Sequence, residues 1–165
     1  MPSFSTRRRV PFTAAQMYAL VADVERYPEF LPMCTGLTVT TRQPVADGED
    51  LVARMSVGYK SISETFTTSV RLRPAASVVE ANYLDGPFKR LENRWRFSDA
   101  ASSNAQANSD VDFFIDYEFK SPMLGLLVGA AFDQAFRKFS EAFEQRARAV
   151  YGVPAYNSST RVFPI

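Results

Sequence analysis

The sequence predicts an α+β fold in which one curved antiparallel sheet of about seven strands covers a long C-terminal helix. Between residues 37 and 119, apolar side chains recur at every second position in successive segments that turns separate. Short links of this kind favour antiparallel neighbours over crossover units. A helix signal precedes these segments, and a long amphipathic segment follows them. The predicted order is therefore strand, helix, short helix, six strands and long helix.

A strand and a capped helix open the chain. Residues Phe4 to Val10 alternate between two faces, as a strand does. Residues Thr13 to Gln16 form a capping box, which satisfies backbone N–H groups where a helix begins. The segment Tyr27 to Cys34 then contains two prolines, so it permits only a short helical turn. Its aromatic side chains favour the rim of a pocket over a plain connector, because they are costly to leave in water.

Six strands follow, each with one apolar face. Turn residues separate them at 46–48, 74–77 and 85–87, and the polar segment 100–109 predicts a loose hairpin loop. Residues 78–84 form one of these strands. The alternation places these residues on the inner faces of the others: Leu37, Val39, Leu51, Ala53, Met55, Val57, Phe66, Thr68, Val70, Leu72, Leu91, Asn93, Trp95, Phe97, Val111, Phe113, Ile115, Tyr117 and Phe119.

The last predicted element is one long amphipathic helix. Ser121 and Pro122 supply an N-cap and a first-turn proline, and Gly152 stops the helix. The expected ion pairs on its exposed side are Arg137–Glu141 and Glu144–Arg148. Its predicted buried seam consists of Leu124, Leu127, Val128, Ala131, Phe132, Ala135, Phe136, Phe139 and Phe143.

The chain is predicted to form a single domain over residues 1–151. Residues 152–165 are expected to be a disordered tail, either native or foreign to the domain. The N-terminal residues lack the apolar stretch of a signal peptide, and no segment reaches the roughly 18 apolar residues of a membrane span. We therefore expect a cytoplasmic protein, with peripheral contact at the inner face of the membrane as an option.

The composition excludes several kinds of chemistry. The 165 residues contain no histidine and one cysteine, Cys34. Ser-His-Asp catalysis, Cys-His catalysis, a histidine-containing metal site and an internal disulfide are therefore excluded, and we expect no metal. With no histidine or nearby cation to activate it, Cys34 is expected to be a buried, inert thiol. A net charge of +1 argues against binding DNA through bulk electrostatics.

Three segments resemble one protein family. Residues Tyr27 to Cys34 resemble the Y-P-x-F-L-P-W-C segment of the coenzyme Q-binding protein family, with Met33 in place of the usual tryptophan. The stretch from Asp85 to Phe97 resembles that family's G-P-F-x-x-L and W-x-F motifs. Parts of the stretch from Val111 to Ala147 resemble its final strand and helix. The resemblance covers residues 3–151.

The resemblance implies a START-like, helix-grip fold and a lipid-binding protein that is not an enzyme. The implied ligand is an isoprenoid quinone such as ubiquinone (coenzyme Q), carried to support respiratory electron transport or quinone biosynthesis, and no cofactor is required. The same family includes ribosome-association toxins, so the alternative is a protein that binds the large ribosomal subunit and blocks subunit association. A third alternative, a polyketide cyclase-like enzyme, needs an inward proton-transfer group that we cannot place.

A strongly curved sheet around a helix tends to leave space between them, so we expect the ligand in an internal cavity. The predicted apolar lining consists of Phe30, Leu31, Met33, Met55, Phe66, Tyr83, Trp95, Phe113, Leu127, Phe132 and Phe136. The candidate polar contacts are Tyr59, Thr68 and Asn93.

Two surface features complete the predictions. Residues 123–132 are apolar on all sides of the predicted helix. This helical segment is therefore either a gate that touches the bilayer, a dimer contact or a buried first turn. The predicted gate residues are Leu124, Leu126 and Val128. The basic clusters Arg7–Arg9, Lys89-Arg90 and Arg94 with Arg96 indicate a solvated sheet face balanced by acids. The alternative for these clusters is a patch for anionic lipid or ribosomal RNA.

Overall fold

Seven strands form a single antiparallel sheet in the computed structural model, which describes residues 3–100 and 107–152. The strands are β1 (Ser3–Val10), β2 (Cys34–Val45), β3 (Gly48–Tyr59), β4 (Ile62–Arg73), β5 (Val78–Asp85), β6 (Phe88–Asp99) and β7 (Ser109–Phe119). Their order across the sheet is β1-β7-β6-β5-β4-β3-β2. Strands β2 to β7 therefore form a continuous meander, and β1 joins it beside β7. The predicted fold class is confirmed.

The helices lie before and after the meander. They are α1 (Ala14–Ala22), a 3-10 helix (Val24–Glu29), α2 (Pro122–Arg137) and α3 (Phe139–Tyr151). The capping box at the start of α1 is present, because the Thr13 hydroxyl accepts from the Gln16 N–H at 3.0 Å and the Thr13 N–H donates to Gln16 Oε1 at 2.9 Å. No helix among the described residues is long and apolar enough to cross a membrane.

The prediction of one long C-terminal helix is wrong in one respect, since the helix is interrupted at Lys138. There the backbone N–H bonds to the Ala135 carbonyl three residues back, at 3.0 Å, which tightens the turn. The interruption disturbs the spacing expected between Arg137 and Glu141, and Arg137 pairs instead with Asp133 at 2.9 Å. The second expected pair, Glu144–Arg148, is present at 2.8 Å.

Irregular pairing bends the sheet around the helices. The register shifts within β2, between β4 and β5, and between β6 and β7, and such bulges bend and twist a sheet locally. The β5–β6 turn approaches β4 so closely that a Cβ on Gly86 would lie 2.6 Å from the Phe66 Cβ. Gly86 also has a φ of +141°, so this predicted turn requires glycine.

The predicted hairpin loop and the predicted C-terminal tail fall partly outside the described residues. The β6–β7 hairpin is closed by a bond from the Ala100 N–H to the Asn108 carbonyl, at 3.0 Å, and its loop residues 101–106 are not described. Of the predicted tail, only Gly152 lies within the described part of the chain.

The three arginines of β1 are all neutralised by carboxylates. Arg7 and Arg9 pair with Asp112 and Asp110 on β7, at 2.7 and 2.5 Å. Arg8 points to the other face, as the alternation predicts, and its Nε lies 2.5 Å from the carboxylate of Glu144. The balanced sheet face that the sequence indicates is confirmed for this cluster.

Glu144 joins β1 to α3 through a nearly buried carboxylate. Its side chain is 10% exposed and accepts hydrogen bonds from Arg8 and from Arg148, at 2.5 and 2.8 Å. Hydrogen bonds to charged groups away from water contribute more to stability than exposed pairs do. This carboxylate therefore ties the edge strand to the last helix.

We expect Glu144→Gln to lower the free energy of unfolding by about 1–3 kcal/mol, because it leaves Arg8 and Arg148 without their shared anion. Asp112→Asn is the matched control, since it removes an equivalent charge from the more exposed Arg7 pair and should cost less than about 1 kcal/mol. Urea unfolding of both variants measures the difference. Equal losses in the two variants would contradict the role given to Glu144.

Candidate functional site

A small apolar cavity lies between the inner face of the sheet and the C-terminal helices. Its volume is about 70 Å³. Strands β2 to β7, the 3-10 helix, α2 and α3 all contribute side chains to its wall. The lining residues are Val24, Tyr27, Leu31, Leu37, Ala53, Met55, Phe66, Thr68, Val70, Val79, Ala81, Leu91, Asn93, Trp95, Ile115, Phe136, Phe139 and Phe143.

Small side chains on the central strands account for this space. Ala53 pairs with Thr68 across β3 and β4, and Ala81 lies between Val70 and Asn93 across β4, β5 and β6. Alanine fills little of the concave face at these inward positions. The aromatic side chains of the helices cover the same region from the other side, so a gap is left between the two layers.

Two polar groups are set into this carbon surface. Thr68 is buried and lines the cavity. Asn93 lines it as well, and its side-chain amide donates to the Phe114 carbonyl at 2.9 Å, which fixes the side chain on the sheet. Two of the three predicted polar contacts therefore lie at the cavity. The third, Tyr59, faces a surface groove, where Lys60 Nζ lies 5.3 Å from its ring centroid.

Adjoining voids lie between this groove and the cavity, and we call this row of voids the path. A second void of about 20 Å³ lies beside the main cavity and shares Met55, Phe66, Phe136 and Phe139 with it. The same void shares Pro32, Met33 and Ala135 with the surface groove. The groove also includes Tyr59, Ala130, Ala131, Gln134 and Lys138. The segment that contains Pro32 and Met33 thus forms the outer end of the path.

Most of the predicted lining residues lie along this path. Leu31, Met55, Phe66, Trp95 and Phe136 line the main cavity. Met33 and Phe132 line the smaller void. The placement of these side chains agrees with the alternation of the strands and with the proline-containing segment.

Four predicted lining residues lie elsewhere. Leu127 is 60% exposed, because it falls on the outer side of α2. Phe30 packs edge-on against Phe143, with ring centroids 5.0 Å apart. The hydroxyl of Tyr83 accepts from the Phe88 N–H at 3.1 Å at the end of the sheet. Phe113 fills the core beside Trp95, with centroids 4.6 Å apart. Each of these three aromatic rings packs against a different neighbouring ring, and none of the three lines the cavity.

Sequence reasoning missed the residues that create the space. The sequence pattern places Ala53 on an inner face but does not identify it as a site residue. It places Ala81 neither on an inner face nor in the site. The available signal was a small residue at an inward position between large ones, which predicts a gap where two layers meet.

The predicted gate residues have different environments. Leu126 is exposed and Leu124 is half-buried, whereas Val128 is 1% exposed and belongs to the core. The assignment of Val128 to the gate is therefore wrong, because the helix turns this position toward the sheet. The large hydrophobic residues that α2 exposes are Met123, Leu126 and Leu127.

The single cysteine is buried next to the path. Burial raises the pKa of the Cys34 thiol to about 11, although its Sγ contacts the Gly36 carbonyl at 3.7 Å. The thiol is therefore protonated at neutral pH and is a poor nucleophile. This geometry agrees with the inert thiol expected from the sequence.

The chain belongs to the polyketide cyclase/dehydrase and lipid transport family, whose model matches residues 10–144. That class fits a curved sheet around helices with an apolar cavity between them.

Two curated relatives match most of the chain. The ribosome association toxin RatA of Escherichia coli (strain K12) is 36% identical over 92% of this chain and 90% of its own length. The mitochondrial coenzyme Q-binding protein COQ10 homolog B of Xenopus laevis is 31% identical over 90% of this chain and 59% of its own length.

Solved structures agree on the fold. An 18 kDa protein of Caulobacter crescentus is 33% identical, with a TM-score of 0.73, over 93% of this chain and all of its own. The Zhui aromatase/cyclase of a Streptomyces species has a TM-score of 0.67 over 90% of this chain and 95% of its own, at 16% identity. The second similarity concerns the fold alone.

We expect the Cys34 thiol to react slowly with iodoacetamide at pH 8 in the native protein, because burial and its raised pKa both suppress the thiolate. Unfolding in guanidinium should accelerate the reaction by at least about tenfold, as the thiol returns to its ordinary pKa near 8.5. Mass spectrometry of the alkylated protein measures both rates. A native rate equal to the unfolded rate would show that Cys34 is accessible and activated.

Proposed function

We propose that this protein binds an isoprenoid quinone such as ubiquinone in the internal cavity and carries it in support of respiratory electron transport or quinone biosynthesis. The observation that carries the proposal is a mainly apolar cavity whose lining includes the side chains of Thr68 and Asn93. A prenyl chain would contact the carbon surface. The Thr68 hydroxyl and the Asn93 amide would supply hydrogen bonds to the oxygens of the ring.

Energetics favour a ligand of this kind. Burial of apolar surface contributes about 25 cal/mol per Å², so a long hydrocarbon chain gains more from this site than a small polar molecule does. None of the described residues that line the cavity is a carboxylate, lysine or arginine. Burial raises the pKa of the lining phenol, Tyr27, well above its ordinary value. These groups suit binding better than proton transfer, and we propose that the protein is not an enzyme and needs no cofactor.

Binding must widen the path from the surface. The cavity of about 70 Å³ is far smaller than the roughly 300–1,000 Å³ of sites for drug-sized ligands. Phe136 and Phe139 lie on either side of the interruption at Lys138 and line both voids. Because helical hydrogen bonding is already interrupted there, α2 can shift with its phenylalanines without unwinding α3. Met33, at the outer end of the path, would move as well.

Extraction of the purified protein with organic solvent, followed by mass spectrometry, tests the proposal. We expect a prenyl quinone to co-purify with the wild type, or to bind on reconstitution, close to one molecule per chain. Ala81→Leu should reduce the bound lipid by about tenfold, because three extra carbons occupy the cavity floor. Asn82→Leu is the matched control, since it adds an apolar side chain to the opposite face of the same strand. Absence of prenyl lipid in the wild type, before and after reconstitution, would refute the proposal.

The second candidate function is binding to the large ribosomal subunit, and the RatA relatives favour it. The structure constrains where such contact would occur. Arg7, Arg8 and Arg9 are neutralised by carboxylates, so they are poor anchors for RNA phosphates. On the outer face of the sheet, Arg54, Arg71 and Arg96 are exposed and form no ion pair with a described residue.

Sucrose-gradient sedimentation with purified ribosomal subunits tests this second candidate. It predicts co-migration with the large subunit that weakens with salt, and that Arg71→Glu combined with Arg96→Glu reduces by at least about tenfold. Ala81→Leu should leave co-migration unchanged, because it alters only the interior. Migration of the wild-type protein at the top of the gradient would exclude this function.

A further inference from the structure

One end of the molecule combines exposed apolar side chains with lysines, three of which form no ion pair with a described residue. We propose that this end docks on a lipid bilayer that carries anionic headgroups. Leu126 and Leu127 would enter the acyl region, and lysines would contact the phosphates around them. The proposal concerns a surface and does not depend on which ligand occupies the cavity.

The apolar part of this surface lies on the first turns of α2. Met123, Leu126 and Leu127 are 69%, 88% and 60% exposed. A bond of 2.8 Å from the Lys120 N–H to the Pro87 carbonyl brings the β5–β6 turn beside the start of α2. Leu84, at the end of β5, is also more than half exposed. Large side chains exposed together in this way are unfavourable in water, which indicates a partner with an apolar interior.

The charged part of the surface is formed by lysine. The chain has four lysines, and they lie at the β3–β4 turn (Lys60), at the start of β6 (Lys89), after β7 (Lys120) and between α2 and α3 (Lys138). The first three positions share one end of the antiparallel sheet. The fourth lines the groove with Tyr59, at the same end.

These lysines are available to an outside anion. Lys60, Lys120 and Lys138 form no ion pair with a described residue, and Lys89 lies 4.0 Å from Glu118. Glu118 is itself held by Arg90, so it neutralises little of the lysine charge. The other acid on these turns is Asp85, which follows Leu84 in the sequence.

This combination fits a bilayer better than a second copy of the chain. A lysine can lay its aliphatic stem along apolar surface while its ammonium group reaches the headgroups. A lysine near an anionic leaflet strengthens binding by electrostatic attraction to the headgroups. A symmetric dimer through the same face would instead bring lysines of both copies together, which is unfavourable.

The orientation that results is consistent with the path to the cavity. The groove that leads inward contains Met33, Tyr59, Ala130 and Lys138, and it opens at this same end. Docking on the membrane would therefore bring the outer end of the path to the lipid surface. A ligand could then pass between bilayer and cavity without crossing much water.

Co-sedimentation with vesicles tests the proposal. We expect the wild type to bind phosphatidylcholine vesicles that contain phosphatidylserine, and to bind pure phosphatidylcholine at least about tenfold more weakly. Raising the salt should weaken the anionic binding. Leu126→Glu should reduce it by at least about tenfold, because it removes apolar insertion and adds a negative charge. Lys120→Glu should reduce it as well, and Lys120→Arg should retain it.

Val150→Glu is the matched control, because Val150 is an exposed apolar residue, 51% accessible, near the end of α3. It should bind vesicles as the wild type does. Thermal unfolding of each variant checks that folding is intact. Prenyl lipid extracted from Leu126→Glu reports on the cavity separately, so loss of vesicle binding with retained lipid separates this surface from the proposed function.

Two results would overturn the proposal. In the first, the wild type fails to bind anionic vesicles, or Leu126→Glu binds them as strongly as the wild type. In the second, gel filtration shows a dimer that Leu126→Glu dissociates while vesicle binding stays unchanged, which would assign the face to a second copy of the chain.

Discussion

The packing of Phe143 against the concave sheet is the interaction on which the rest of the structure depends. Its ring is fully buried and lies within 5.0–5.4 Å, centroid to centroid, of Tyr27, Phe30 and Trp95. These three rings come from the proline-containing segment and from β6. One side chain of α3 therefore joins the last helix, the short helical turn and the sheet. The Tyr27 hydroxyl adds to this, because it donates to the Val21 carbonyl at the end of α1.

The cavity results from the way the C-terminal helices pack on the sheet around Phe143. Phe143 and Glu144 fix α3 to the sheet and to β1, while α2, which ends just before the interruption at Lys138, contributes Phe136 to the wall of the cavity that Ala53 and Ala81 also line. A curved sheet cannot touch a straight helix along its whole length, and the small side chains of Ala53 and Ala81 leave the space between the two layers unfilled. Phe136 of α2 and Phe139 of α3 therefore close the path, while Phe143 and Glu144, further along α3, hold the last helix to the sheet and to β1.

The sequence was sufficient for the architecture but only partly for the site. Alternation of apolar residues predicted the strands, and the Thr13 and Ser121 caps predicted where helices begin, because both signals are local. The interruption at Lys138 was not predictable, since nothing in the residues 135–141 breaks a helix. Leu127, Phe113 and Val128 were misplaced for a related reason. The periodicity shows which side of an element is apolar, but it does not show which apolar side chain meets a neighbour and which meets a gap or solvent.

The chemistry of the cations divides the surface into two regions. Several arginines of the sheet pair with carboxylates, as Arg7 does with Asp112 and Arg90 with Asp116. Each pair has two parallel hydrogen bonds, because the planar guanidinium group matches the geometry of a carboxylate. Lysine, a compact charge on a flexible stem, occurs at the end where α2 exposes its leucines. A ribosome contact would use the arginines that remain unpaired on the outer face, and a bilayer contact would use the lysine-rich end. The two surfaces do not coincide, so substitutions on one leave the other available, and each proposed contact can be tested without disturbing the other.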